Sequence, residues 1–362
     1  MFKIFLLFFM FTRVLEIFCY YQNGDLRFVA VLYRHGDRAP TKIYPKDPYN
    51  DVSYYWPDGL GELTNLGIQH QYELGQWFTN RYATFLPEKF STADIYVRSS
   101  DRDRTLMSAA ANLAGLYPAK GAQVWDKQLL WRPIPIHTVP NEEDEVVAMK
   151  KDCPRYNLLY DQLLNSRTFQ LVNLRNKPLY DYLTKNTGWN ITELRQIETL
   201  YSLLSIEKQY NLTLPAWAEG IFPKKLEFLA ALSHASFSFT KPLARLKNGP
   251  FFDYVFSHFD KVTSNATVLK FLMISAHDNT IVNLLSAMGV YDYTFPNFAS
   301  TIIWELSQKD ERFYVNLFYK NTATVSELKL MGCEMNCEYE TFKTILEPVT
   351  VKVEEWNKDC II

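Results

Sequence analysis

The chain has 362 residues, a formal net charge of −2 and 48% hydrophobic content. That length holds one large domain or two ordinary ones with a sizeable core, and the near-neutral balance removes the electrostatic reason to expect a nucleic acid or a membrane surface as partner. With 23 tyrosines and 25 phenylalanines, the composition also excludes a disordered chain.

In chain order, the first feature is MFKIFLLFFMF, where Lys3 precedes an apolar run from Ile4 to Phe11. Arg13 and Glu16 interrupt the run short of the ~20 residues a membrane span needs, so residues 1–19 read as a secretory signal peptide. Leu26 to Tyr33 is apolar enough for a buried strand and leads at once into Arg34, His35, Gly36, Asp37 and Arg38. Leu66, Leu74, Trp77, Phe78, Tyr82 and Phe85 recur at helical spacing and predict a helix over 64–86. A short strand from Asp94 to Val97 follows. It runs into SSDRDRT, where Asp101 or Asp103 is placed to cap a helix reaching about Leu116 before Pro118. Trp131 to Pro140 is extended and punctuated by prolines.

From Cys153 to about Asn248 the pattern turns helical, so residues 153–248 are expected to form a helical insert in an α/β domain made of 20–152 and 249–362. Strand character returns over 268–276, followed by HDNT and a helix to Gly289. STIIWEL and FYVNLFYK, separated by SQKDER, predict an antiparallel hairpin. Strand–loop–helix units at both ends of the chain give an α/β sheet with helices on its faces and the helical insert as a cap.

Without Cys19, which lies in the leader, four cysteines remain. An even number in an oxidising compartment favours two disulfides. Cys333 and Cys337 in GCEMNC are close enough to close a tight loop, which leaves Cys153 with Cys360. Asn190, Asn211 and Asn265 each begin an Asn-X-Thr glycosylation acceptor. No apolar tail follows Cys360, so no membrane anchor is expected and the product reads as secreted and extracellular, the lysosome being the other destination.

Ligands of α/β sheets bind beyond the carboxyl ends of the strands. Three such loops carry polar chemistry here: RHGDRAP, RSSDRDRT and SAHDNT. Arginine forks match phosphate oxygens and stay charged, whereas an unpaired buried cluster of them is costly. The bland alternative is an ion-pair network in which Asp37 and Asp101 or Asp103 serve the arginines. In an anion site, flanking cations keep His35 neutral and able to attack phosphorus through Nε2, and Gly36 lets the chain turn and a ligand approach. Asp278 is the candidate general acid and His277 a further donor to phosphate, the alternative for this pair being a helix cap. His70 and His137 read as packing or surface histidines, and His234 and His258, with no companion motif, are given no role. No metal cluster is visible, and no cofactor or metal is expected.

These stretches resemble the histidine acid phosphatases. RHGDRAP matches their RHGxRxP signature and SAHDNT their C-terminal HD motif; YVRSSDRDRTLMSA, LLWRPIPIHTVP, NLTLPAWA and GCEMNC are similar to the animal prostatic, lysosomal and insect-venom branch. The likeness spans about Leu26 to Cys360. It implies a mixed central sheet with helices on both faces, phosphoglycerate-mutase-like, with a smaller helical cap domain. His35 would be the nucleophile and Asp278 the proton donor; Arg34, Arg38, Arg104 and His277 would bind phosphate, with Arg102 left as a solvated loop residue. It further implies metal-free hydrolysis of a small-molecule or phosphoprotein phosphate monoester, and homodimers. A phytase, a lysophospholipid phosphatase and an inactive secreted binding protein are the alternatives on this scaffold. Two departures stand out. Asn279 replaces the usual Thr after the HD pair, and the places of a third family disulfide read LLSIEK and STIIWE, without cysteine.

Overall fold

The continuous apolar run of DLRFVAVLYR forms strand β1 (Asp25–Arg34), buried from Phe28 onward, at the middle of the sheet. This computed structural model describes residues 24–321 and 323–362; the signal-peptide reading of residues 1–19 lies outside them. The other strands are β2 (Ile95–Ser99), β3 (Phe271–Ala276), β4 (Thr301–Lys309), β5 (Arg312–Lys320), β6 (Val325–Leu328) and β7 (Cys337–Glu338). The order is β2-β3-β1-β4-β5-β6, with β7 also on β5. The β2, β3 and β1 strands are mutually parallel, and β1–β4 and the β4–β5 hairpin are antiparallel. A strand covered on both faces has no need of polar alternation, which is why β1 and β3 read as unbroken apolar runs.

The helices are α1 (Val52–Tyr55), α2 (Asn65–Arg81), α3 (Asp103–Leu116), α4 (Pro154–Leu164), α5 (Arg167–Thr187), α6 (Leu194–Gln209), α7 (Lys224–Ser236), α8 (Lys241–Thr263), α9 (Asp278–Ala287), α10 (Tyr339–Leu346) and α11 (Val353–Asp359). Successive residues of β1 serve opposite faces. Phe28, Ala30 and Leu32 join Phe251, Val255 and Phe259 of α8 and Ile281 and Leu284 of α9. Val29, Val31 and Tyr33 join Leu74 and Phe78 of α2 and Leu113 and Leu116 of α3. The fold is thus mixed α/β with helices on both faces of the sheet.

Helices α5, α6 and α7 enclose a separate apolar cluster that includes Leu183, Ile197, Leu200, Leu204 and Leu226. Helix α8 runs through residue 248 unbroken. Its Leu243 and Leu246 pack with Tyr156 and Trp356, while its later phenylalanines lie on the sheet. Cys153–Cys360 and Cys333–Cys337 are both formed, the first tying the start of α4 to the end of α11. Asn190, Asn211 and Asn265 are exposed.

Some local expectations are corrected. Helix α2 begins after Thr64, whose hydroxyl accepts from Gly67 N–H, and it stops at Arg81 rather than 86. Arg102, not an aspartate, occupies the N-cap of α3 and makes no side-chain cap bond; Asp103 lies in the first turn, where an anion favours the helix dipole. The third strand begins at Phe271, not 268.

One contact between the cap and the loop after β1 is acidic on both sides. Asp47 and Glu207, the latter in LLSIEK on α6, are 2% and 0% exposed. Both Glu207 oxygens and Asp47 Oδ2 are buried without a hydrogen-bond partner, a need that a proton carried on Glu207 would ease. Burial, and then the neighbouring Asp47, push Glu207 up to about 9. An acid whose folded pKa is raised contributes stability that is fully present below its unfolded value, near 4.5, and is lost as pH rises through about 9. The thermal midpoint should therefore fall by roughly 5 °C or more as pH climbs from 5 to 8. In Glu207→Gln, which keeps a donor to Asp47 without an ionisable proton, scanning calorimetry across that range should show a flatter slope.

Candidate active site

Because β2, β3 and β1 run parallel, their carboxyl ends deliver three loops to one edge of the sheet: residues 99–104, 276–278 and 34–38. Backbone bonds lock the junctions. His35 N–H donates to the Ala276 carbonyl at 3.0 Å, Ser100 N–H to Ser275 at 3.1 Å and Arg34 N–H to Ser300 at 2.9 Å. The Gln71 amide donates to the Arg34 carbonyl, and Ser108 of α3 accepts from Gly36 N–H. The loop is clamped from three elements.

The structure brings together Arg34, His35, Arg38, Arg104, His277 and Asp278. Arg34 Nη2 lies 2.8 Å from Asp278 Oδ2, and its Nη1 donates to the Pro296 carbonyl. The face of that guanidinium lies 4.0 Å from the Phe298 ring centroid. Arg38 donates to the Ala39 carbonyl and to Ser202 of the cap. Among the described residues neither Arg38 nor Arg104 has a carboxylate within ion-pairing distance, and the Nε atoms of all three arginines are buried without a partner. Burial first, and then Arg34, lower Arg38 to about 9, which still leaves it charged in acid and at neutrality. Arg102 is exposed.

His35 is 1% exposed, and its Nδ1 lies 2.8 Å from the Gly36 carbonyl. A carbonyl only accepts, so Nδ1 carries the hydrogen and Nε2 keeps its lone pair. Burial, then Arg104, Arg34, His277 and Arg38, hold the ring well below the ordinary histidine value. The setting disfavours the charged imidazolium.

His277 packs edge-on to His35, with centroids 5.6 Å apart. Its Nε2 is 2.9 Å from Ser100 Oγ, which is 2.9 Å from Thr105 Oγ1. Thr105 gives its one hydrogen to a carbonyl, of Ser100 or Arg102, so it accepts from Ser100 and Ser100 accepts from His277. Burial and Arg104 push His277 down to about 3. For Asp278, burial raises the carboxyl, but Arg34, His234 and Arg38 outweigh it and hold the group well below the carboxylate range. It is an anion in this site. It also accepts from Asn279 N–H at 2.8 Å, so the helix-end contact and the place in the cluster coexist.

One expectation about the first loop is corrected and another extended. Asp37 serves no arginine: it accepts from His70 Nδ1 at 2.6 Å and from Gln209 of α6. Gly36 is also required by helix packing, since a Cβ there would strike the backbone of Gly67, and a Cβ on Gly67 would strike that of Asp37. His70, read as a packing or surface residue, lies in a cavity of about 290 Å³ that Arg34 also lines. His137 stacks on Tyr96, and His258 lies against Tyr254 and Phe28, as packing residues do. His234 is buried beside Phe295. Sequence reasoning missed Ser100, Ser202, Gln209, Phe295 and Phe298. The aromatic pair in FPNF flanking a proline was a faint signal for a wall; the cap residues had none, because the contact is made across long loops.

The family model for the histidine phosphatase superfamily (branch 2) matches residues 25–320. The chain belongs to that superfamily branch. Within it, the chain groups with the acid phosphatases: it is 37% identical over 345 residues to prostatic acid phosphatase of Bos taurus, covering 93% of this chain and 88% of that protein. It is 37% identical over 346 residues to lysosomal acid phosphatase of Homo sapiens, covering 93% and 80%. Among solved structures, the Hafnia alvei phytase in complex with tartrate has the same fold, with a TM-score of 0.69 at 18% identity, over 94% of this chain and 99% of that one.

The glycine clasp yields a prediction. Gly67→Ala should destabilise the chain by about 2 kcal/mol or more, because the two nearest atoms it meets are backbone atoms of Asp37 and cannot yield. Denaturant unfolding checks this; the exposed control Gly220→Ala, at a left-handed φ of 78° with open space around it, should cost about 1 kcal/mol.

Proposed function

We propose that the protein is a secreted, glycosylated acid phosphatase that hydrolyses phosphate monoesters through a phosphohistidine on His35. The observation that carries this reading is the buried His35 ring, with Nδ1 committed to Gly36 and three arginines around it, a setting that disfavours the charged imidazolium. Arg34, Arg38 and Arg104 would hold the phosphoryl oxygens and offset their charge in the transition state. The Nε2 lone pair attacks phosphorus as the phosphorus–oxygen ester bond breaks. Asp278 gives a proton to the departing oxygen. Water then attacks phosphorus, the phosphorus–nitrogen bond breaks, Asp278 takes the water's proton, and inorganic phosphate leaves.

The acid role of Asp278 requires a change on binding, since its carboxyl is ionised and paired with Arg34 beforehand. An arriving phosphate competes for the same guanidinium and places like charge beside the carboxylate, and both effects raise its pKa. Acid solution supplies the proton. His277, whose Nε2–H is committed to Ser100, becomes a donor to phosphate only by taking up a proton as the anion enters.

A phytase reading of the same site is disfavoured by charge. Among the described residues Arg34 is the only lysine or arginine lining the 290 Å³ cavity beside it, so a leaving group carrying several further phosphates would find no further cation there. No cofactor enters the reading. The signal peptide, the glycans on Asn190, Asn211 and Asn265 and a homodimeric state are part of the proposal and rest on the sequence.

His35→Ala should reduce turnover of an aryl phosphate at least about a thousandfold while circular dichroism and the thermal midpoint stay near wild type. Retained turnover would remove the nucleophile assignment. Asp278→Asn should slow alkyl phosphates at least tenfold more than p-nitrophenyl phosphate, whose leaving group needs no proton. Equal losses on the two would count against the acid role.

A further inference from the structure

The Asp37–His70 pair lies next to the phosphate-binding arginines yet has no part in the proposed phosphoryl chemistry. Asp37 is 1% exposed and spends both oxygens, one on His70 Nδ1–H at 2.6 Å and the other on the Gln209 amide. A carboxylate only accepts, so His70 Nδ1 bears a hydrogen and the ring's uncommitted nitrogen is Nε2. That nitrogen has no hydrogen-bond partner among the described residues. The side chain is 37% exposed, and it opens on the cavity of about 290 Å³ that Arg34 lines. Two elements thus fix the ring: the loop through Asp37 and the cap helix through Gln209, which orients Asp37. A histidine fixed this way from beneath, with its far edge in a ligand cavity, is arranged to meet something that enters the cavity.

The rest of the lining says what that is. Tyr201, Phe295 and Phe298 give aromatic faces, and Ser202, Ser205 and Asn297 give neutral hydrogen-bonding groups. Aromatic faces with neutral donors and acceptors fit an uncharged, hydroxylated leaving group better than a further anion or a purely apolar chain. We propose that His70 is a specificity-determining residue that accepts, through Nε2, a hydrogen bond from a hydroxyl of the alcohol being released, so that the enzyme favours monoesters of polyhydroxylated alcohols. This rests on the phosphatase reading above and adds to it the class of alcohol and the residue that recognises it.

The test compares glycerol 1-phosphate with propyl phosphate, which share a carbon skeleton and differ in two hydroxyls. The full chain should cleave the glycerol ester with the higher kcat/KM. His70→Asn keeps an amide donor where Nδ1–H meets Asp37 and deletes Nε2, so the ratio of the two kcat/KM values should fall about tenfold. His70→Gln, which restores a polar atom near the Nε2 position, should recover much of the ratio. A merely structural role for His70 would lower both rates and leave the ratio where it was, which would overturn the proposal. So would a wild-type enzyme with no preference for the hydroxylated ester, a result that needs no folded variant. If the wild type cleaves neither ester nor an aryl phosphate, the phosphatase reading falls first and this one with it.

Discussion

Three guanidinium groups gather at the carboxyl end of the parallel strands around a buried histidine, and among the described residues only one of them, Arg34, is paired with a carboxylate. Such an arrangement stores uncompensated positive charge, and proteins tolerate that where a ligand completes it. Most of what is distinctive about the molecule follows. Burial and then the cations disfavour a charged His35 ring, the cations hold Asp278 ionised, and in the proposed mechanism an entering phosphate restores the balance. The fold's task is to hold this arrangement against its own repulsion. It does so with backbone bonds from β3, with Ser108 and Gln71 from two helices, and with a Gly36–Gly67 contact too close for any side chain.

The cap contributes in a different way. Its helix α6 reaches the site through Ser202 on Arg38, Gln209 on Asp37 and Glu207 on Asp47. The last contact is favoured while Glu207 keeps its proton and so is firmest in acid, the condition in which Asp278 most readily gains the proton that the proposed mechanism needs. The cap contact and the proposed acid chemistry are thus favoured by the same solution conditions. The two places of the third family disulfide hold buried carboxyls instead: Glu207 beside Asp47, and Glu305 against Arg81 and Tyr82.

The parts legible in the sequence were those where chemistry and chain neighbourhood coincide. The apolar run of β1 ending in Arg34 and His35, and β3 ending in His277 and Asp278, announce both strand and site, because a parallel strand's last residues are the site's first. The β4–β5 hairpin was readable from two alternating runs around SQKDER. What stayed hidden depends on distance in the chain. Nothing near Asp37 says that its partner is His70 on a helix rather than an adjacent arginine, nor that Gln209 arrives from the cap. Gly36 reads as a turn or a ligand approach, and its packing against Gly67, on another element, has no signal near it. The ionised state of Asp278 is likewise not readable from the chain. Burial alone would have protonated it; the net effect of the surrounding cations is visible only with the geometry.

Nitrogen NMR of histidine-labelled protein, titrated from pH 7 to pH 4.5 without phosphate, addresses the charge arrangement directly. The account predicts that one ring, absent from the spectrum of the His35→Ala protein, stays uncharged throughout with its hydrogen on Nδ1. A His35 ring that gains a proton near pH 6.5, or carries its hydrogen on Nε2, would contradict it.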